Sequence, residues 1–519
     1  MSKLLSLVKI QLISSLGINK ILYGRNGKRN ATVGAILAVG FIALLCYCGY
    51  TYSKMIYDTI TLYGLNFDLM TVMTALVFFV TFFLSFYSVG NSLFGFKDYD
   101  VLASMPLKKS QVVISKFVSI YLSDVFFSIA LLVPSFVFYS ETTVVTASAI
   151  IGLVLSIVFS PLLSLAVSTL VGTLVFYVSS RFKRKNVVQT ALYLLLLAGI
   201  VSVYFVFGDK VWGIVVNAYF VSPFYDGMIA GDVLSAVLYC AVCFGSALLI
   251  TVVVTATYEY LNTAFKTTRS GKKHKKAKIV VKGLNRTLFR HELTKLFAIP
   301  VYAVNTLMSA IMTILSTAVI CSLYFNTDAK EFITMLVSFV LPPILAFVGL
   351  MSPSTSCSVS VDGETFWIMR TAPVSTKRTF CVKLLVNFIV NGLIATACVL
   401  VVGIATKTSA LDAVLYCVTA LAISVYGGNF GLLCNLRFPY LRWENVKQPV
   451  KQSPAVLLCV LNAFVCATLF GVGTYFGLKD GFPAIWYLVP VASFTLVLAA
   501  ATTVILFAKG EKILEKQDC

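Results

Sequence analysis

Long uninterrupted apolar segments constrain this chain more than any other feature of its sequence. Hydrophobic residues make up 59% of the 519 positions, charged residues only 12%, and the mean hydropathy is +0.92. A bilayer core about 30 Å thick requires roughly 20 consecutive apolar residues from a spanning helix. The apolar residues fall in blocks of about this length. The sequence therefore excludes a water-soluble protein and predicts an all-α, polytopic helical membrane protein.

Twelve membrane spans are predicted from these blocks. They lie near residues 31–52, 70–95, 112–139, 143–179, 187–208, 233–260, 300–325, 332–355, 380–405, 410–434, 454–477 and 484–508. The fourth is either one helix containing Pro161 or two helices. With one helix, 36 of the 41 Lys and Arg residues fall on one side of the membrane. Because basic loops stay in the cytoplasm, we expect one helix, both termini in the cytoplasm and a location in the cell membrane.

The spans divide into two halves of six that resemble each other. Residues 97–106 and 364–373 each follow the second span of their half, and a shift of 267 residues aligns Pro106 with Pro373. The same shift aligns Lys116 with Lys383, just before the next span. An even number of spans gives both halves the same orientation, which predicts two parallel six-helix repeats.

Five regions follow from this organisation. They are a cytoplasmic amphipathic segment at 1–30, a six-span repeat at 31–262, a basic cytoplasmic linker with an interfacial helix at 263–299, a second six-span repeat at 300–508, and a cytoplasmic tail at 509–519. Apolar residues recur at helical spacing in 1–22 and again in 286–297, which indicates helices at the membrane surface. The basic run 272–278 is typical of a solvated linker near anionic lipid headgroups.

Catalytic and metal-binding chemistry is poorly represented in the sequence. The stretch Gly24–Arg29 has the wrong glycine spacing for a phosphate loop, and Arg29 stands where Ser or Thr would meet magnesium. Two histidines leave little room for a zinc site. The 13 cysteines lie mostly in apolar segments, as buried free cysteines do. We expect no ATPase motif, cofactor or metal on this chain.

Asp124 is the clearest ionisable residue inside a predicted span, and the shift of 267 pairs it with Asn391. An intramembrane charge costs about 2.5–3.5 kcal/mol on insertion scales, so it is a candidate functional residue. It either makes a polar contact between the halves or along a substrate path, or it is a locally paired carboxylate near the interface.

The two matched loops are the main candidate interaction sites. Exposed apolar residues flanked by charges indicate a surface that a partner covers. Alternatively, both loops are membrane-surface helices that end at a proline. The candidate residues are Lys97, Asp98, Asp100, Leu102, Met105 and Pro106 in the first loop, and Glu364, Trp367, Met369, Arg370 and Pro373 in the second. Asp362 is a further charge that could orient the partner.

Four segments carry a resemblance to a known family. KDYDVLASMPLKKSQVVISK, ETFWIMRTAPVSTKRTFCVK, FRHELTKLFAIPVYAVNTLM and LRWENVKQPVKQSPAV together resemble type-2 ABC exporter permeases, in particular the two-repeat permeases of Gram-positive bacteria. The resemblance implies a membrane subunit that binds two copies of a separate ATP-binding cassette protein, which carries the ATP and Mg. The two loops would then be coupling helices. The second copy departs from the first by having Thr371-Ala372 where the first has Ser104-Met105.

Two other classes of function stay open on the sequence. One is an ion- or proton-coupled secondary transporter with six plus six spans, and the other is a membrane scaffold or enzyme. Short predicted extracellular loops favour export over import fed by a binding protein. The sequence does not indicate which substrate is transported.

Overall fold

The computed structural model is built from helices. It describes residues 2–15, 27–63, 68–94, 99–182, 184–207, 216–266, 283–326, 330–443 and 446–515, and no strand occurs in these ranges. The chain divides into two compact units. Unit 1 comprises residues 1–193 and 206–271, and unit 2 comprises residues 194–205 and 272–519.

Unit 1 is centred on a deeply buried helix. Its helices are α1 Ser2–Ser15, α2 Gly27–Tyr63, α3 Leu69–Phe94, α4 Tyr99–Ser104, α5 Lys109–Thr142, α6 Ala147–Ser180, the first part of α7 Lys185–Phe207, α8 Ser222–Ile229 and α9 Val233–Lys266. In α3, 72% of the spanning window is buried. This helix packs against α5 and α6, and α1 packs against α5. Apolar side chains on nearly every face of α3 explain its central position.

Unit 2 contains shorter and more interrupted helices. They are α10 Leu284–Ala298, α11 Pro300–Asn326, α12 Lys330–Met351, α13 Phe366–Thr371, α14 Thr376–Asn387, α15 Ile394–Ala405, α16 Ala410–Arg437, α17 Lys447–Lys451, α18 Pro454–Lys479 and α19 Ile485–Glu515. Two 3₁₀ turns, Ser354–Ser356 and Ser360–Thr365, separate α12 from α13. A π-helical turn, Phe388–Leu393, connects α14 to α15.

The pairs α16–α19 and α12–α18 form the main packing contacts of unit 2. Small residues allow close approach in α16, where a side chain at Gly431 would meet Pro353 and Thr355 at less than 3 Å. The core between these helices is apolar and includes Phe339, Leu345 and Ile423. Helix α10 packs against α14, which brings a charged helix beside the start of a spanning one.

The membrane-spanning architecture agrees with the sequence. Eleven helices in the described ranges are long and apolar enough to cross a membrane. The remaining predicted span, 187–208, coincides with the 23-residue helix α7. The region around Pro161 forms a single helix of 34 residues, as the charge distribution predicts. The prediction of a polytopic all-helical membrane protein is thereby confirmed.

Candidate functional site

The two predicted loop sites fold into matched short helices. Helices α4 and α13 each contain six residues. The shift of 267 residues that aligns the two prolines carries Tyr99 onto Phe366 and Ser104 onto Thr371. It also aligns Lys109 with Thr376, the first residues of α5 and α14. The two short helices therefore have the same length, and each is separated by the same number of residues from the helix that follows it.

Backbone hydrogen bonds after the short helices repeat in the same register. In unit 1 the Leu107 amide donates to the Met105 carbonyl at 2.7 Å, and in unit 2 the Val374 amide donates to the Ala372 carbonyl at 2.7 Å. Four residues further on, the Gln111 amide donates to the Lys108 carbonyl at 2.9 Å. In unit 2 the Arg378 amide donates to the Ser375 carbonyl at 3.0 Å. The turns in the two units therefore share these hydrogen bonds, although the Met105 amide donates to the Leu102 carbonyl and its counterpart, the Ala372 amide, donates to the Ile368 carbonyl.

Large apolar side chains are uncovered at both sites, directly after α4 in unit 1 and within α13 in unit 2. Met105 is 45% exposed, Trp367 57% and Ile368 51%. Pro106 and Pro373, which follow the helices, are exposed too. These side chains form two surfaces, which we name the unit 1 apex and the unit 2 apex.

Leu102 differs from the prediction of an exposed contact residue. It is half-buried and packs with Tyr99 against the hydrophobic core of unit 1. Positions i and i+3 share one face of a helix, so the residue that turns inward with Tyr99 is Leu102. In unit 2, Phe366 is the counterpart of Tyr99, and its side chain is buried. The exposed face of each short helix therefore lies elsewhere.

Several predicted residues remain without a structural description. Lys97 and Asp98 lie outside the described residues, as does the basic run 272–278. Asp100, Met369 and Arg370 belong to α4 and α13, but their side chains are not among those described. Glu364 is exposed directly before α13.

A buried network of four charges lies behind the unit 2 apex. Glu292 accepts from the Lys383 ammonium and from the Lys295 ammonium, each at 2.8 Å. Asp362 faces the same two lysines, at 2.8 Å from Lys295 and 3.4 Å from Lys383. All four side chains are less than a tenth exposed. Two cations and two anions balance, which is the condition under which buried charges are tolerated.

This network corrects the interpretation of Asp362. We predicted that its carboxylate orients a partner at the surface, but it is buried and paired inside unit 2. Both lysines also donate to the Ser358 carbonyl, at 3.0 Å and 3.2 Å. The carboxylate therefore fixes the chain that leads into α13 and is unavailable to a partner.

Burial and the neighbouring charges shift the pKa of Glu292 in opposite directions. Desolvation raises the pKa of its carboxyl, but the Lys383 and Lys295 ammonium groups outweigh it and hold the pKa below its ordinary value. His291, Glu292 and Asp362 offer possible metal-ligand atoms within 4.8 Å of one another. A metal ion would have to compete with two lysines for both carboxylates, so the donor set does not favour one.

Side-chain amides hold the buried segment 352–363, which contains six serines and threonines. The Asn387 carbonyl oxygen accepts from the Ser354 amide at 2.9 Å. That of Asn435 accepts from the amides of Val359 and Ser360, at 2.9 Å and 3.1 Å. The Trp443 indole donates to the Ser360 carbonyl at 2.9 Å. Trp443, which belongs to the segment LRWENVKQPVKQSPAV, thus contacts the 352–363 segment within unit 2.

The intramembrane polar residues are both paired within their own units. Asp124 is 2% exposed and accepts from the Ser85 hydroxyl at 2.7 Å and 2.8 Å. Asn391 lies in the π-helical turn, accepts from the Ser309 hydroxyl at 2.6 Å and donates to Asn387 at 3.0 Å. These contacts agree with a locally paired carboxylate at Asp124.

The buried partners of Lys383 were not found from the sequence. Lys383 stood out only as a lysine before an apolar span, and Glu292 lay in a segment interpreted as a surface helix. The available signal was the pair Glu292 and Lys295, one acid and one base on one face of α10.

The helices, their lengths and their apolar surfaces define a multi-span helical membrane protein with transporter-like architecture. A family model described as a membrane protein of 12 TMs matches residues 38–509. The chain belongs to this family of 12-span membrane proteins. Neither a curated protein nor a solved structure matches it.

Proposed function

We propose that this chain is the membrane-spanning subunit of an ATP-driven ABC exporter, whose unit 1 and unit 2 apices each bind one copy of a separate ATP-binding cassette protein. The chain itself would not hydrolyse ATP. It would act as a transport subunit in the cell membrane, with both termini and both apices on the cytoplasmic side.

The observation that carries this proposal is the matched geometry of α4 and α13. Two six-residue helices in the same register, each followed by a four-residue turn and a spanning helix, suit two identical partners. Met105, exposed directly after α4, and Trp367, exposed in α13, are of residue types enriched where proteins bind one another. A force on either apex would pass directly to α5 or α14.

The network behind the unit 2 apex supports the same role. A coupling element must move with the helices it drives, and Asp362 holds the chain before α13 through Lys295 of α10 and Lys383 of α14. ATP can drive transport only if the nucleotide state changes the free energy of substrate binding or access. A stiff connection between apex and spans meets that requirement.

Co-purification from native membranes tests the proposal. The wild-type chain should recover an ATPase that contains a phosphate-loop lysine and has no membrane span. Met105→Asp and Trp367→Asp should each reduce its recovery, and the double variant should abolish it, because a carboxylate at the apex cannot be buried at low cost. Phe482→Asp is the matched control, since Phe482 is 55% exposed in a loop between α18 and α19.

Two results would contradict the proposal. One is normal ATPase recovery with the Met105→Asp and Trp367→Asp double variant. The other is transport by the purified chain alone in response to an ion gradient, which would favour the secondary transporter.

A further inference from the structure

The outer face of α10 carries positive charge and no exposed acid. Arg286 and Arg290 are both exposed, and their i,i+4 spacing places them in one row on the helix surface. The only acid of α10, Glu292, is buried and paired with two lysines. The buried network therefore takes up the one carboxylate of this helix, and the exposed row that remains is cationic.

A row of half-buried apolar side chains lies beside the two arginines. Phe289, Leu293 and Phe297 follow one another at i,i+4 spacing, and each is partly exposed. Phe289 is three residues from Arg286, and Leu293 is three residues from Arg290, so the two rows are neighbours on the helix. Another side of α10 packs against α14. The exposed part of α10 is thus cationic along one row and partly apolar along the next.

The position of α10 places both rows at the level of the lipid headgroups. One residue, Ile299, separates α10 from the spanning helix α11, and its extended backbone turns the chain between the two helices. In the middle of α10, Glu292 meets Lys383, the eighth residue of α14. A rise of 1.5 Å per residue puts Lys383 about 10 Å beyond the start of α14. Helix α10 therefore lies beside the first turns of a spanning segment and does not project away from the membrane.

The neighbours of α10 add charge of the same sign. Helix α14 carries exposed Lys377 and Arg378 in its first turn and contains no acid. Among the described side chains of α10, α14 and the turn before α13, Glu364 is the one exposed acid, against four exposed cations. Basic residues directly outside a membrane span attract anionic lipid headgroups. A zwitterionic headgroup brings its own ammonium group, so these four cations favour an anionic one.

We propose that the outer face of α10 binds an anionic phospholipid. Arg286 and Arg290 hold the headgroup, and one acyl chain lies along Phe289 and Leu293. Arginine suits this role because its planar guanidinium forms paired hydrogen bonds with phosphate oxygens. An acidic protein segment would also match the arginines, but the partly exposed apolar row at the edge of a spanning helix favours a lipid. The site is separate from both apices and does not depend on ATPase binding.

Photo-crosslinking of the full-length chain in phosphatidylcholine nanodiscs tests this site. A trace of probe is added, which is either phosphatidylglycerol or phosphatidylcholine with the same acyl chains and a diazirine near the ester end of one chain. We expect adducts within residues 286–300, and about tenfold more of them with the phosphatidylglycerol probe. This comparison of two headgroups requires no variant.

Removal of the two arginine charges should reduce the preference for the anionic probe. In Arg286→Gln/Arg290→Gln, labelling by phosphatidylglycerol should fall about fivefold, while labelling by phosphatidylcholine changes little. The control Lys407→Gln/Lys479→Gln removes two exposed lysine charges elsewhere in unit 2 and should leave both labelling levels unchanged. Size-exclusion chromatography checks that both double variants are folded.

Equal labelling of residues 286–300 by the two probes in the wild type would overturn the proposal. Unchanged phosphatidylglycerol labelling in the folded arginine variant would overturn it as well. If that variant instead loses the co-purifying ATPase while its lipid labelling is unchanged, the face binds a protein and the proposal is wrong.

Discussion

The two units have similar backbone structure at the apex but differ in the contacts that hold it in place. In unit 2 the chain before α13 is held by four buried charges. In unit 1 the fixing contacts are exposed: Lys3 donates to the Pro106 carbonyl at 3.3 Å, and Lys109 pairs with Glu259 at 2.6 Å with both side chains more than half exposed. Similar backbone geometry is thus held by buried charges in one unit and by exposed contacts in the other.

The sequence accounts for this difference. The shift of 267 residues places Gly95 at the position of Asp362 and Lys116 at that of Lys383. Helix α1, which packs on α5 as α10 packs on α14, contains no acidic residue. The lysine that precedes the span is kept, but neither carboxylate is. Lys116 donates to the Ser92 carbonyl at 2.8 Å, much as Lys383 donates to Ser358. The lysine-to-carbonyl contact is therefore common to both units, and the acids belong to unit 2.

Loss of a lysine charge should affect the stability of unit 2 much more than that of unit 1. Lys383→Met leaves two buried carboxylates with one lysine and should destabilise unit 2 by about 3–5 kcal/mol. Lys109→Met removes an exposed pair and should cost less than about 1 kcal/mol. Unfolding by graded SDS in mixed micelles measures both. Adding Glu292→Gln to Lys383→Met should restore part of the loss, and a further loss there would argue against charge balance.

Acid should weaken unit 2 by a smaller amount. The pKa of Glu292 is lower in the folded chain than its ordinary value of 4.5, so its contribution is complete above about pH 4.5 and is lost as the pH falls below that. Protonation leaves a neutral carboxyl that still forms hydrogen bonds, so the loss is milder than that of Lys383→Met. SDS unfolding between pH 7 and 3 should show a decline that Glu292→Gln reduces. An identical decline in that variant would exclude Glu292 as its source.

Glycine substitution tests the turn before α13. Gly363 has a φ of 57°, and an added Cβ would meet the Trp443 indole nitrogen at 2.9 Å. Gly363→Ala should therefore cost about 2–3 kcal/mol. Gly471 in α18 has open space around it, so Gly471→Ala should stabilise the same unit by about 0.5–1 kcal/mol. Comparable effects in SDS unfolding would contradict the strained turn.

The smallest effect concerns the paired polar residues in the spans. Ser85→Ala removes a hydroxyl that donates to the Asp124 carboxyl, and Ser309→Ala removes one that donates to the Asn391 amide. We expect costs of about 1.5–2 and about 1 kcal/mol, since hydrogen bonds to charged groups are stronger. The difference should disappear when Ser85→Ala is measured in an Asp124→Asn background. A persistent difference would show that charge is not its cause.

The fold could be predicted because span length follows directly from bilayer thickness. Twelve apolar blocks, the continuous helix through Pro161 and the alignment of Pro106 with Pro373 were all readable in the sequence. Leu102 was predicted to be exposed but is half-buried. A six-residue helix turns one face inward, and its sequence does not show which face. The charge network was missed because Glu292 and Lys383 are 91 residues apart and meet only after α10 packs on α14.

The contacts of Asn387 and Asn391 lie beyond sequence prediction for a similar reason. Their partners Ser354 and Ser309 are 33 and 82 residues away along the chain. The i,i+4 spacing of Asn387 and Asn391 places both on one helix face, where the Asn391 amide donates to the Asn387 carbonyl oxygen. Neither residue indicates the π-helical turn, which contains Asn391 and leads into α15.

The four-residue turn between each short helix and its spanning helix has one further consequence. Residues 105–108 and 372–375 share almost no side chains, yet their length is the same in both units. The number of residues in the turn is therefore the same in both units, whereas their identity is not. Because Lys108 and Ser375 are extended, insertion of a single residue would lengthen the connection by up to about 3.5 Å and displace the apex from the long helix, whereas most substitutions in the turn would leave its position unchanged.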